Sequence, residues 1–149
     1  MSTAGELLDT KGRAVFSIDA DATVYDAVAM MSEKNVGALV VASPESQLAG
    51  IVSERDYARK VILKDRASKN TPVRDIMTTD VIVGHEDTTL QQCMALMIQH
   101  RIRHLPITTH GETVGIVTLG DCTGIIMREQ TETIEELESL ILEDKGGEG

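Results

Sequence analysis

Apolar residues recur along this chain in two rhythms, and each rhythm occurs twice. At helical spacing stand Val24, Ala27, Val28 and Met31, and again Leu90, Cys93, Met94 and Met97. Runs at i, i+3, i+4 and i+7 predict amphipathic helices, here opened by Thr23 and Thr89 as N-caps. Short apolar runs at 15–18 and 81–83 predict a strand ahead of each helix. Paired runs at 38–42 with 49–52, and at 104–107 with 113–117, predict two hairpins whose loops carry turn residues. Ser53 and Thr118 then open closing helices. The order is β-α-β-β-α, twice, an α+β pattern.

Self-comparison makes the doubling explicit. At an offset of 66, Val15 aligns with Val81, Asp21 with Asp87, Thr23 with Thr89, Ala29 with Ala95 and Leu39 with Leu105. After one loop deletion, Gly50-Ile51-Val52-Ser53-Glu54-Arg55-Asp56 aligns with Gly115-Ile116-Val117-Thr118-Leu119-Gly120-Asp121. A single duplication is implied rather than a many-copy array. The expected divisions are an N-terminal segment 1–14, repeat one 15–64, a linker 65–79 and repeat two 80–128. The linker holds a short helix capped by Thr71-Pro72. An acidic amphipathic helix over 129–145, with a capping box at Thr133-Ile134-Glu135-Glu136, and a disordered tail over 146–149 complete the chain. The two repeats are expected to pack through their sheets with pseudo-two-fold symmetry.

Composition narrows the function. Aromatic residues are 2% of the 149, namely Phe16, Tyr25 and Tyr57. That excludes sites built on several stacked rings, such as single-strand nucleic-acid platforms and aromatic cages. The formal charge is −10, which disfavours nucleic acid or an anionic membrane as partner. The acidity is uneven: from Glu129 onward there are eight acids and one base, whereas residues 1–128 carry 16 acids against 13 bases. The body can therefore hold a local basic site. Cys93 and Cys122, each among apolar neighbours, read as buried reduced thiols. No apolar run reaches the length of a membrane span, and a cytoplasmic location is expected.

The repeated unit, ending in Gly-Ile-Val-Ser-x-x-Asp and Gly-Ile-Val-Thr-x-x-Asp, resembles the CBS domain, named for cystathionine β-synthase. Asn35-Val36-Gly37-Ala38-Leu39-Val40-Val41, Arg101-Ile102-Arg103-His104-Leu105-Pro106-Ile107 and Pro72-Val73-Arg74-Asp75-Ile76-Met77 extend the resemblance. It implies a tandem pair, or Bateman module, with two inter-repeat clefts. Such clefts bind adenosyl ligands: AMP, ADP, ATP, S-adenosylmethionine or NAD. It also implies pairing into homodimers, and makes the chain a non-enzymatic sensor acting through conformation or an effector protein.

The chemistry of a nucleotide can be matched residue by residue. A carboxylate accepts hydrogen bonds from both ribose hydroxyls, which suits Asp56 and Asp121. Ser53 and Thr118 stand at helix starts, where amides and a hydroxyl attract phosphate. Phe16, Val81 and Ile82, with Val15, offer an apolar slot for adenine. Arg101, Arg103 and His104 form the sharpest basic cluster, while the corresponding positions of repeat one are Asn35, Gly37 and Ala38. Lys11 and Arg13 lie within reach of the first strand, and Arg55 is a further, weaker candidate beside surface charges Arg59 and Lys60. Grouping by repeat assigns the basic cluster to Asp121, so a phosphate-bearing ligand is expected to favour the Asp121 cleft over the Asp56 cleft.

Competing readings accompany these. Each Ser/Thr-x-x-Asp also satisfies a plain capping box, and the basic cluster also suits a solvated helix end. His85, His100, His104 and His110 show no metal-ligand spacing, because the helix should break between His100 and His104. The functional alternatives are a purely structural homodimerisation module and a metal-dependent nucleotide hydrolase.

Overall fold

In the computed structural model, which describes residues 2–147 and side chains through Leu142, each repeat folds around its own core. Helix α1 (Ala4–Lys11) precedes repeat one, which comprises β1 (Ser17–Asp19), α2 (Val24–Lys34), β2 (Ala38–Ser43), β3 (Ser46–Ser53) and the short α3 (Glu54–Tyr57). α3 runs on into a π turn, Ala58–Ile62, and a 3₁₀ turn at Val73–Asp75 follows. Repeat two comprises β4 (Gly84–His85), α4 (Leu90–His100), β5 (His104–Thr109), β6 (Glu112–Thr118) and α5 (Leu119–Gly147). The two three-stranded sheets have the same topology: the first strand is parallel to the second, and the second and third form an antiparallel hairpin.

The expected helix faces are the buried ones. Val24, Ala27 and Met31 of α2 pack with Leu39, Val41 and Val52, and Leu90, Cys93 and Met97 of α4 pack with Leu105, Ile107 and Val117. Thr23 and Thr89 cap these helices, accepting from the amides of Asp26 and Gln92. Both helices end in a left-handed residue, Asn35 (φ 54°) and Arg101 (φ 56°), whose amides bond back to the last turn. Such a cap breaks the helix and swings the chain directly into the next strand. His100 and His104 therefore lie on different elements.

The alternate strand positions face the other repeat. Ala38 and Val40 are buried yet lie outside both cores, on the sheet face opposite Leu39 and Val41. Arg55 Nη1 donates to Arg101 O across the junction at 2.9 Å.

The structure adds to the expected organisation and corrects parts of it. First, the N-terminal segment and the linker dock crosswise. α1 buries Leu7 and Leu8 in the core of repeat two, and Val73 and Ile76 join the core of repeat one. The amides of Ala4 and Gly5 bond Thr88 O and Glu86 O, and those of Val73 and Arg74 bond Ala22 O and Ala20 O. The duplicated glycine explains the fit: a Cβ at Gly115 would lie 2.5 Å from Leu8 Cδ2, and one at Gly50 would lie 2.7 Å from Thr78 O. A bare backbone in the strand is the notch each segment needs. Second, Thr71 is not a helix cap; its hydroxyl donates to Ala67 O. Third, no separate helix opens at Thr133. α5 is continuous over 29 residues, and Thr133 Oγ1 donates to Glu129 O within it, since nothing between Met127 and Thr133 breaks helical spacing. Residues 146 and 147 end that helix, and the remainder of the expected tail lies outside the described residues. The strand expected over 81–83 is paired only at Gly84–His85.

Candidate functional site

Among the described residues, two cavities open between the repeats. The larger, about 630 Å³, is lined by Ser53, Asp56, Arg55, Arg59 and Lys60 from repeat one. Opposite them stand Val81, Ile82, Arg101, Arg103 and His104 from repeat two. The smaller, about 350 Å³, brings Thr118 together with Lys11, Phe16, Asn35, Gly37 and Ala38. Gly37, Ala38 and His104 line both.

The grouping by repeat is thereby corrected. Arg101 and Arg103 line the cavity that holds Asp56, Asn35 and Phe16 line the one that holds Thr118, and Asp121 is in the lining of neither. Arg55, held against Arg101 O, lines the same cavity as Asp56. The pseudo-two-fold places the helix start of one repeat opposite the turn before the second strand of the other. Sequence order alone does not reveal that crossing. Arg13 lines neither cavity: its guanidinium pairs with Asp9 at 2.8 Å and Glu86 at 2.6 Å, clamping α1 onto repeat two. Glu54, Asp80, Ile51 and Pro106 also line the larger cavity. Strand alternation was the signal for Ile51, which sits two residues before Ser53 on the same face.

Both Ser/Thr-x-x-Asp motifs form capping boxes. Asp56 Oδ2 accepts from Ser53 N at 3.0 Å and Ser53 Oγ at 3.2 Å, while Ser53 Oγ accepts from Asp56 N. Asp121 Oδ2 accepts from Thr118 N at 3.2 Å, and Thr118 Oγ1 accepts from Asp121 N at 3.1 Å. Each aspartate also meets a lysine: Lys60 Nζ is 3.1 Å from Asp56 Oδ1, and Lys11 Nζ is 2.5 Å from Asp121 Oδ2. Burial pushes the Asp121 carboxyl up, but the Lys11 ammonium and the Thr118 donors outweigh it and leave it below its ordinary range. Burial lowers the pKa of His104, and the nearby Lys11 and Arg103 charges add to that against the opposing pull of Glu54 and Asp121.

Two amides at each closing-helix start are already bonded. The Glu54 and Leu119 amides bond Gly37 O and Arg103 O, and the Asp56 and Asp121 amides are taken by the caps. Cationic side chains are concentrated in the larger cavity. Cations there are Arg55, Arg59, Lys60, Arg101 and Arg103, against Glu54, Asp56 and Asp80.

The CBS domain family matches residues 6–63 and 73–128. The chain belongs to the CBS domain family. Among its CBS relatives, the mitochondrial CBS domain-containing protein CBSX3 of Arabidopsis thaliana is 39% identical over 148 residues, covering 94% of this chain and 72% of that one. The CBS domain-containing protein YhcV of Bacillus subtilis is 35% identical over 113 residues, covering 76% and 79%. A solved CBS-domain structure from Burkholderia ambifaria superposes with a TM-score of 0.82 at 40% identity, covering 87% of this chain and 96% of that one. The CBS domain protein PAE2072 of Pyrobaculum aerophilum, solved in complex with AMP, superposes at 0.71 with 24% identity, covering 80% and 88%. The CBS-pair fold is thus common to this chain and these structures. Among the described residues, no helix is long and apolar enough to cross a membrane.

Proposed function

We propose that this CBS pair is a non-catalytic regulatory module that binds adenine nucleotides between its repeats, with the Asp56 cleft as the main phosphate-bearing site. The observation that carries this reading is the composition of the larger cavity. Apolar Val81 and Ile82 form one wall, Asp56 stands at the helix start, and five cationic side chains line the remainder. A flat apolar base, a ribose diol and a phosphate each find a chemical counterpart there. Its volume lies within the range of small-molecule sites. In the smaller cavity Lys11 is the one fixed cation among the lining residues, which suits a ligand of lower charge. The AMP held by the Pyrobaculum relative makes AMP the first ligand to try. Ligand binding then shifts the population of inter-repeat arrangements, which a partner reads.

Free, buried Cys93 and Cys122 fit a reducing compartment such as the cytoplasm. Exposed Tyr25, Ile62, Leu63 and Ile98 on the outer helices support a homodimer made through the body.

Calorimetry with AMP, ADP, ATP, NAD, S-adenosylmethionine and adenosine tests the reading. Saturable binding of at least one, without turnover, is expected. No binding at millimolar concentration leaves the structural dimerisation module standing, and metal-dependent ligand breakdown establishes the hydrolase instead.

A further inference from the structure

We propose that Lys11 is the specificity-determining residue of the smaller cleft. Its ammonium covers Asp121 until an anionic group of the ligand draws it away, so this cleft takes a nucleoside monophosphate and turns away the free nucleoside. This selection rule rests on the nucleotide reading of the clefts given above, and it concerns only the smaller of the two.

The duplication shows why the cation comes from outside the repeat. In repeat one the partner of the motif aspartate is local: Lys60, four residues after Asp56, lies 3.1 Å from Asp56 Oδ1. The matching residue of repeat two, four after Asp121, is Ile125, which packs on the core instead. The last residue of α1 supplies the charge, with Lys11 Nζ 2.5 Å from Asp121 Oδ2. The two lysines are held differently. Lys60 Nζ also donates to Ile76 O at 2.8 Å, and Lys60 and Asp56 both line the larger cavity. Among the described residues, Lys11 Nζ bonds Asp121 alone, and of this pair only Lys11 lines the smaller cavity. Thr118, whose amide donates to the same carboxylate oxygen, lines it too. Asp121 thus lies next to the wall without forming it, and Lys11 takes its place there.

A ribose diol reaches the Asp121 carboxylate only if Lys11 makes room. Adenosine takes the carboxylate from the ammonium and gives it nothing in return, so the bonds it gains are offset by the pair it breaks. A phosphate returns an anion to the ammonium as the carboxylate is released, and both ends of the ligand are then satisfied. The exchange is accessible because the pair is a surface one: its side chains are 34% and 30% exposed, and exposed ion pairs are weak. A lysine suits it, since its ammonium is a point charge on a flexible four-carbon stem that can swing from one anion to another. One cation matches one phosphate, which is why a monophosphate is assigned here.

The test silences the larger cleft with Asp56→Ala and Arg103→Ala, at residues that do not line the smaller one. Calorimetry then compares AMP with adenosine in that protein with Lys11 intact, with Lys11→Met and with Lys11→Arg. With Lys11 intact, AMP should bind about tenfold or more tighter than adenosine. Lys11→Met keeps the stem and drops the charge, so AMP should bind less tightly and adenosine more tightly, while Lys11→Arg should keep the preference. A ratio of the two affinities that Lys11→Met leaves unchanged would overturn the proposal alone. Nucleotide binding in the unaltered protein that vanishes in the silenced one would do the same, since the smaller cleft would then hold no nucleotide. Absence of binding in every protein would overturn the reading of the clefts and this proposal with it. A second measurement needs no ligand. The Asp121 carboxyl, pushed up by burial but brought below its ordinary range by Lys11 and Thr118, should titrate higher in Lys11→Met when followed by carboxyl NMR. An unmoved titration would also overturn the proposal, because the ammonium would not be what holds the carboxylate.

Discussion

Gly37 and His104 meet across the junction of the repeats: a Cβ on Gly37 would lie 3.2 Å from His104 Nε2. Both residues line both cavities, so one contact forms the partition between the clefts. Gly37→Val pushes the imidazole away and narrows the space on each side. Overpacking of this kind costs about 1–3 kcal/mol. The expected outcome is weaker nucleotide binding at both sites, read by calorimetry, with a lower melting temperature. A loss confined to one site would show that the partition is not shared.

Charge in the larger cleft gives a second expectation. Arg103→Ala removes a guanidinium that lines the same cavity as Asp56, and a charge-assisted hydrogen bond contributes about 1.5–3 kcal/mol. AMP affinity should fall roughly 10- to 100-fold and adenosine affinity hardly at all. Asp56→Ala should weaken both, since the ribose is common to them; it also removes the acceptor of the Ser53 amide while leaving the Ser53 cap in place. If Asp121→Ala proves to be the aspartate change that weakens AMP, the assignment of phosphate to the Asp56 cleft is wrong.

The two notch glycines separate flexible from rigid neighbours. A Cβ at Gly115 meets the end of the Leu8 side chain, which can turn aside, whereas at Gly50 it meets the Thr78 carbonyl and Met77 Sδ. Gly50→Ala should therefore destabilise more than Gly115→Ala, by about 1–3 kcal/mol against about 1 kcal/mol or less. Urea unfolding of the two variants measures the difference, and equal losses would show that α1 is held as rigidly as the linker.

Much of this architecture was legible because duplication repeats its signals. Thr23 and Thr89, the Met31 and Met97 helix faces and the two Gly-Ile-Val strands each confirm their counterpart. Helix α1 was also signalled and missed: Thr3-x-x-Glu6 is a capping pattern, and Thr3 Oγ1 does accept from Glu6 N. The crossing of the clefts was not legible. Local periodicity states which face of a strand is apolar, but not which part of the other repeat covers it. Arg101 and Arg103 therefore looked like companions of Asp121, while the fold places them in the lining of the cavity that holds Asp56.

His104 makes the last expectation one of pH. Its folded-state pKa is lowered from the ordinary 6.5, first by burial and then by Lys11 and Arg103. Above pH 6.5 the ring is neutral in both folded and unfolded chains and contributes no pH dependence. As pH falls below 6.5 the unfolded chain takes up a proton that the folded chain resists. Stability therefore declines through that window and levels off once pH passes the folded value. Asp121, also lowered, acts in a separate window: its contribution is present above its ordinary 3.8 and is lost as pH falls through the folded value. Urea unfolding at pH 7.5 and 5.5 isolates the histidine, and His104→Gln should flatten the decline between them. A phosphate in either cleft should favour the imidazolium, so AMP binding near pH 6 should take up a fraction of a proton, seen as a buffer-dependent binding enthalpy. Proton uptake unchanged in His104→Gln would assign it to another group and remove His104 from the ligand's surroundings.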